Sequence, residues 1–214
     1  MSDREDVEFG RKLEGIVLAT LGERTGRFIE PWPQTSMVVH PKFSWMRCTP
    51  DAFQVDDDRG LGIVQAKTTS AYLGWRWEDE PPLAVQIQIQ HEMAVTGVEW
   101  GTLCCLVGGQ RFRWFDIEMN PAFCEAMITT EREFIRDVVS RKPPDVDGSE
   151  STTVAIRKLY PMDNGESVRL PEEFLELDAT LLEVKAKIKA LDSLRDTIEN
   201  KIKAEIGENP FGIT

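Results

Sequence analysis

Histidine is scarce in this 214-residue chain: His40 and His91 are its two residues of that type. They are too few for a histidine-built metal site. Cys48, Cys104, Cys105 and Cys124 show no CxxC spacing, so reduced, mostly buried thiols are the expectation. Long apolar runs are missing as well. No segment approaches the roughly 18 to 20 residues of a membrane span, and the N-terminus MSDREDVEFGRKLEG is acidic and polar where a secretory signal is basic and then apolar. This argues for a soluble, cytoplasmic protein with no membrane partner. Positive charge is short too, with 25 Lys and Arg against 37 Asp and Glu, a net of -12. A chain that coats nucleic acid through a generally positive surface is thereby excluded, and any contact with nucleic acid has to be local.

What remains is 41% apolar and 29% charged, enough for one well-buried core with an appendage but not for two large domains. Val7, Leu13, Ile16, Val17 and Leu21 recur at near-helical spacing and predict an amphipathic helix over about 5–21, carrying Glu14. Strand-like runs follow at 37–40, 46–55 and 61–66. The last two are separated by Asp56-Asp57-Asp58-Arg59-Gly60 and read as a hairpin. The stretch 84–90, AVQIQIQ without its flanks, alternates like a strand but lacks a turn signal until Gly97, and pattern alone leaves strand and buried helix open. Runs at 100–107 and 111–117 flank Gly108-Gly109 as a second hairpin, and a helix follows Pro121. The order of elements predicts a mixed α/β core over 1–140, a linker and connecting segment over 141–170 where SRKPPDVDGSES interrupts the pattern, and a long helix over 171–214. In that helix Leu177, Leu181, Val184, Ile188 and Leu191 alternate four and three apart, a coiled-coil-like seam that calls for a partner; the alternative is a helix that breaks near Ser193 and folds back. The chain leaves this pattern abruptly at Ile206-Gly207-Glu208-Asn209-Pro210, as a truncated chain would.

Thr49-Pro50-Asp51 and Gln65-Ala66-Lys67 carry the chemistry. A hairpin that brings an acid, a second oxygen donor and a lysine two residues further along to one spot is the arrangement of metal-dependent phosphodiester hydrolases. Asp51 offers Mg²⁺ a hard carboxylate oxygen, Gln65 another oxygen, and the Ala66 carbonyl a third. Residues 65 and 67 share one face of a strand, so the Lys67 ammonium can sit beside the same metal and offset phosphate charge. Alone, such a pair of short motifs also recurs by chance.

Gly10-Arg11-Lys12-Leu13-Glu14, Thr49-Pro50-Asp51, Val64-Gln65-Ala66-Lys67-Thr68 and Gln88-Ile89-Gln90-His91-Glu92-Met93-Ala94-Val95-Thr96-Gly97 occur in an order similar to that of the phage-type exonucleases. Over about residues 5–140 the chain resembles the YqaJ viral recombinase family, to which lambda exonuclease is related, with its PD-(D/E)xK fold: a mixed sheet flanked by helices. The resemblance implies an Mg²⁺-dependent exonuclease, with Mn²⁺ as a substitute, that shortens one strand of linear duplex DNA from the 5′ end for recombination by strand annealing. It implies Asp51, Gln65 and Lys67 as the catalytic cluster, Glu14 completing it, Gln88 and Gln90 as a glutamine motif, and helix for the 84–96 region. It also implies a ring-shaped homo-oligomer, whose basic inner surface reconciles DNA binding with the acidic net charge, and a single-strand annealing protein as partner.

One position departs from the pattern. Gln65 stands where the family has glutamate, so the site loses a negative charge. Gln65 is then either a working native variant, as in branches resembling Mrr-type restriction endonucleases that carry Q-x-K, or an engineered change that traps substrate. The corresponding alternatives for function are a catalytically weakened DNA-end-binding protein and an Mrr-like endonuclease. Trp75, Arg76 and Trp77 are candidates to stack or wedge a base at a duplex end, or else anchor a loop. Arg111 and Arg113 are candidate phosphate contacts, although strand alternation favours reading them as solvent-facing. Asp56 to Asp58 read as a solvated turn, His91 as a structural histidine, and Cys104-Cys105 as part of a strand core.

Overall fold

The computed structural model describes residues 5–208, the side chain of Asp6 apart; Asn209 and Pro210 of the abrupt C-terminal sequence lie outside them. The chain divides into two compact units, Met1–Asp145 and Val146–Thr214.

The first unit is a sheet with helices on both faces. Helix α1 (Glu5–Thr25) is followed by strands β1 (Phe28–Pro31), β2 (Val38–Val39), β3 (Arg47–Cys48), β4 (Ala52–Asp56) and β5 (Gly60–Thr69), then a 3-10 helix (Ala71–Trp77), helix α2 (Leu83–Thr96), strands β6 (Trp100–Val107) and β7 (Arg111–Glu118), and helix α3 (Pro121–Val139). The five-stranded sheet has the order β1-β4-β5-β6-β7, and β2 and β3 form a small separate ladder. Among the described residues, β5 and β6 are the one parallel pair of this sheet. Parallel neighbours need a crossover, and here the 3-10 helix and α2 supply it.

Alternation along β5 decides what lies above and below the sheet. Val64 and Ala66 face α1, packing with Val17, Leu18, Leu21, Ala52 and Cys104. Ile63 faces the other way, packing with Ile89 and Met93 of α2 and with Leu103. Gln65 and Lys67 share the parity of Ile63, so the sheet presents them on the α2 side. Both expected hairpins form. At β4–β5 the positive φ of Gly60 (70°) lets the chain reverse without a Cβ penalty. Cys48, Cys104, Cys105 and Cys124 are free and buried.

The acidic turn after β4 does more than face solvent. Arg27 makes a fork to both oxygens of Asp116 (2.9 and 2.6 Å) and donates to Asp56 at 2.9 Å, while Arg59 donates to Asp116 at 2.6 Å. Thr102 and the fully buried Gln54 extend this network into the sheet. Trp100 lies beneath it, with Arg59 3.9 Å above its ring. Gly62 makes this possible, because a Cβ there would come within 2.6 Å of the indole.

Two stretches differ from expectation. The 46–55 run is two strands in different sheets, because Thr49-Pro50-Asp51 breaks it and Pro50 has no N–H for a ladder. Strand β1, short and largely exposed, pairs with β4 and carries no alternation by which to read it.

In the second unit, α4 (Glu150–Leu159) forms within the stretch read as a linker. Ser149 caps it by accepting from the Thr152 N–H, and Asp147 accepts from Ser149 and Thr152. Helix α5 (Glu173–Ile206) runs unbroken for 34 residues, through Ser193, a length of about 51 Å at 1.5 Å per residue. Leu177, Leu181, Val184, Ile188 and Leu191 are exposed along it. Among the described residues no helix is long and apolar enough to cross a membrane.

Candidate active site

Asp51 stands just before β4, held by its carbonyl oxygen, which accepts from Trp32 N–H at 2.9 Å. Its Oδ2 accepts from the backbone N–H of Ala66 at 2.7 Å, so a carboxylate serves as acceptor for β5 where Pro50 ends the ladder. Burial raises the Asp51 pKa, against the opposing effects of the Ala66 N–H and the Lys67 charge. Glu14 approaches from α1. Gln34 donates to Glu14 at 3.0 Å. Burial and then the charge of Asp51 raise the Glu14 pKa.

On the α2 side, Lys67 Nζ donates to Gln65 Oε1 at 2.9 Å and Gln88 Nε2 donates to the same oxygen at 3.0 Å. Lysine has no acceptor, so this contact fixes which end of the Gln65 amide faces which way. The amide nitrogen of Gln65 then donates to Glu92 Oε1 at 2.9 Å, as does Gln88 at 3.0 Å. Glu92 is 4% exposed, and its second oxygen, Oε2, is buried without a hydrogen-bond partner. Burial pushes its pKa up to about 7, with Asp51 adding to the rise and Gln88, Lys67 and Gln65 opposing it.

Asp51, Glu14, Gln65, Lys67, Gln88, Gln34 and Glu92 therefore form one polar cluster at a sheet otherwise packed with apolar side chains. Among the described residues no group of three or more His, Cys, Asp or Glu side chains is placed to hold a metal ion. An open set of hard oxygens is nonetheless what Mg²⁺ takes, since it keeps several waters and needs one or two carboxylates. A buried carboxylate oxygen without a partner costs free energy unless a cation or proton meets it, so the donor set fits a divalent metal.

Residues 1–99, which hold all of these side chains, match the sequence profile of the YqaJ-like viral recombinase domain. Over those residues the chain is similar to that family. The YqaJ protein of Bacillus subtilis strain 168 is 30% identical over 216 residues, covering 99% of this chain, and the chain spans 66% of that relative's length. Among solved structures, the alkaline exonuclease LHK-Exo of Laribacter hongkongensis matches with a TM-score of 0.54 at 16% identity, over 74% of this chain and 76% of that one. The LHK-Exo complex with dAMP gives 0.53 at 18% identity, over 74% of this chain and 76% of that one. These likenesses show a shared fold.

Within this YqaJ-like domain the predicted residues part company in places. Gln88 joins the cluster; Gln90 does not. Two residues apart on a helix are about 200° apart, and the Gln90 amide donates to the Glu118 carbonyl at 2.8 Å and accepts from Asn120 N–H at 2.9 Å, joining α2 to the start of α3. Trp77 is a core residue, 4% exposed and packed with Ile89 and Met93, whereas Trp75 is exposed with Arg76 beside its ring. Trp75, Arg111 and Arg113 line a groove with Tyr72 and Gly108, which begins where β5 ends. His91 lies between Glu131 (2.7 Å) and the Arg47 carbonyl (3.1 Å), a structural placement. Glu92 and Gln34 went unread in the sequence. The signal for Glu92 was its place four residues after Gln88, on the same face of a helix.

Proposed function

We propose that this chain is a divalent-metal-dependent deoxyribonuclease, an exonuclease that resects linear duplex DNA from the 5′ end and leaves a 3′ strand for an annealing protein. The observation that carries this reading is the convergence of Asp51, Lys67 and a set of oxygen donors at the end of the β4–β5 hairpin. Mg²⁺, or Mn²⁺ in its place, would be held by Asp51 with Gln65, Ala66 and Glu14 around it, and would supply an activated water and charge neutralisation at the scissile phosphate.

The chain's own groups do the rest. Lys67 is held by Gln65 beside that position and offsets the charge that develops on the phosphoryl oxygens. Asp51, fixed by Ala66 N–H, orients water for attack. Trp75 offers a stacking face, and Arg111 and Arg113 offer guanidinium groups to the backbone, in a groove that starts at the same end of β5. The supporting fold is shared with an alkaline exonuclease. A second reading, a weakened DNA-end binder, draws on Gln65, which carries no charge.

The test uses end-labelled linear duplex, single strand and closed circular DNA with Mg²⁺. Degradation of linear duplex alone, lost in Asp51→Ala and Lys67→Ala, is the expected result. Cutting of closed circles would assign an endonuclease instead. Binding without cutting, with activity gained in Gln65→Glu, would assign the end binder. Hydrolysis that persists in EDTA and in Asp51→Ala would overturn the nuclease site.

A further inference from the structure

Gln65 stands at the strand position where the pattern places an acid, yet its amide oxygen is already occupied. Lys67 Nζ and Gln88 Nε2 both donate to it, which fills its two lone pairs. The neighbouring carboxylate is in the opposite state. Glu92 reaches the same spot from α2, binds Gln65 and Gln88 through Oε1 alone, and keeps Oε2 buried without a donor. A buried polar atom left unmatched is costly. Gln65 bonds Lys67 and Glu92 at once, which places Glu92 at the site rather than behind it.

We propose that Glu92 is the second acidic metal ligand of this chain: the carboxylate absent from strand position 65 has moved to helix α2, and Gln65 acts as the bracket that holds Lys67 and Glu92 in register. The inference rests on the nuclease reading and changes its ligand set. The net charge of the site is preserved, because Asp51 and Glu92 supply the two carboxylates that Asp51 and a glutamate at 65 would have supplied. Gln65 becomes a positioning residue, donating with its nitrogen to Glu92 and accepting with its oxygen from Lys67. A glutamate at 65 could accept from Lys67 but could not donate to Glu92, so the amide suits a site whose acid lies across from it.

The experiment measures Mn²⁺ binding to the full chain by electron paramagnetic resonance, in the absence of DNA, alongside duplex hydrolysis. Glu92→Gln keeps the shape and the acceptor for Gln65 and Gln88, and circular dichroism checks its fold. The expected result is Mn²⁺ affinity weakened about tenfold or more in Glu92→Gln, with recovery to within a few-fold of wild type in the exchanged pair Gln65→Glu with Glu92→Gln. Gln65→Ala should lose rate more than metal affinity. Wild-type affinity retained in Glu92→Gln, with the wild type both binding Mn²⁺ and cutting DNA, would overturn this assignment and leave the nuclease reading intact. A wild type that neither binds Mn²⁺ nor cuts would overturn both.

Discussion

Oδ2 of Asp51 accepts the backbone N–H of Ala66 at 2.7 Å, so the first acid of the site is fastened to the strand that carries Gln65 and Lys67. Asp51→Asn keeps an oxygen for that N–H and removes only the charge. Duplex hydrolysis should fall at least about a hundredfold, the scale of a lost electrostatic contact to the reacting group, while the melting temperature shifts by no more than a few degrees. Lys67→Ala should behave alike. A hydrolysis rate within a few-fold of wild type in either variant would remove the residue from the mechanism.

The acids at this site make stability depend on pH in an unusual direction. The carboxyl of Glu92 moves from its ordinary 4.5 up to about 7 in the folded chain, and Asp51 and Glu14 move the same way. The folded state thus holds a proton that the unfolded chain releases. Its contribution is complete below pH 4.5 and is lost as pH rises to about 7, an effect on the order of 3 kcal/mol for Glu92. Urea unfolding of the metal-free protein in EDTA should therefore show a midpoint that declines between pH 5 and pH 7, and Glu92→Gln should flatten most of that decline. A midpoint that climbs over this range would contradict the burial of the acid.

The ion network under the β4–β5 hairpin has the reverse dependence. Burial raises the Asp116 pKa, but hydrogen bonds from Arg27, Thr102 and Arg59 outweigh it and hold the carboxyl at about 2, below its ordinary 3.8. Its contribution is present above pH 3.8 and disappears as pH falls through about 2. Arg27→Met strips the fork from Asp116 and a donor from Asp56. With the Arg27 side chain 11% exposed, the expected cost is about 2 kcal/mol at neutral pH, read as a lower urea midpoint, with a smaller difference from wild type near pH 2.

Local signals recovered most of this fold, and long-range ones were needed for the site. The two hairpins were legible because Gly60 and Gly108-Gly109 sit between strand-like runs, a code written within about ten residues. Helix α2 was not, since AVQIQIQ alternates like a strand although it is helical; Ile89 and Met93 bury one side, Gln90 meets β7, and Gln88 with Glu92 meets β5. Three surroundings around one helix leave no single apolar stripe. Choosing helix for 84–96 already separates Gln88 from Gln90 and selects Glu92, by the 3.6-residue period. What that period cannot supply is that Gln65 would have its oxygen filled by Lys67 and Gln88. That fact depends on two elements packing together, as does the burial of Trp77 beside the exposed Trp75.

Helix α5 leads to a prediction about assembly. Leu177, Leu181, Val184, Ile188 and Leu191 are spaced four and three apart and stand exposed on the helix, and a helix this long carries its own binding face at heptad period. We propose a second copy of this chain as the occupant, through pairing of the seams. Leu181→Asp with Ile188→Asp places two charges on the seam without touching its caps. Sedimentation velocity should then show a smaller species than the wild type at the same concentration. The helix itself should persist by circular dichroism, because Glu199 with Lys203 and Arg195 with Asp192 support it from positions outside the seam. Glu14, Asp51 and Lys67 lie in the other unit, so DNA hydrolysis per chain should survive where the assembly serves only to keep the enzyme on its substrate; the length of duplex degraded per binding event should then shorten. A wild type that sediments as a monomer across the micromolar range would dismiss self-association through this helix.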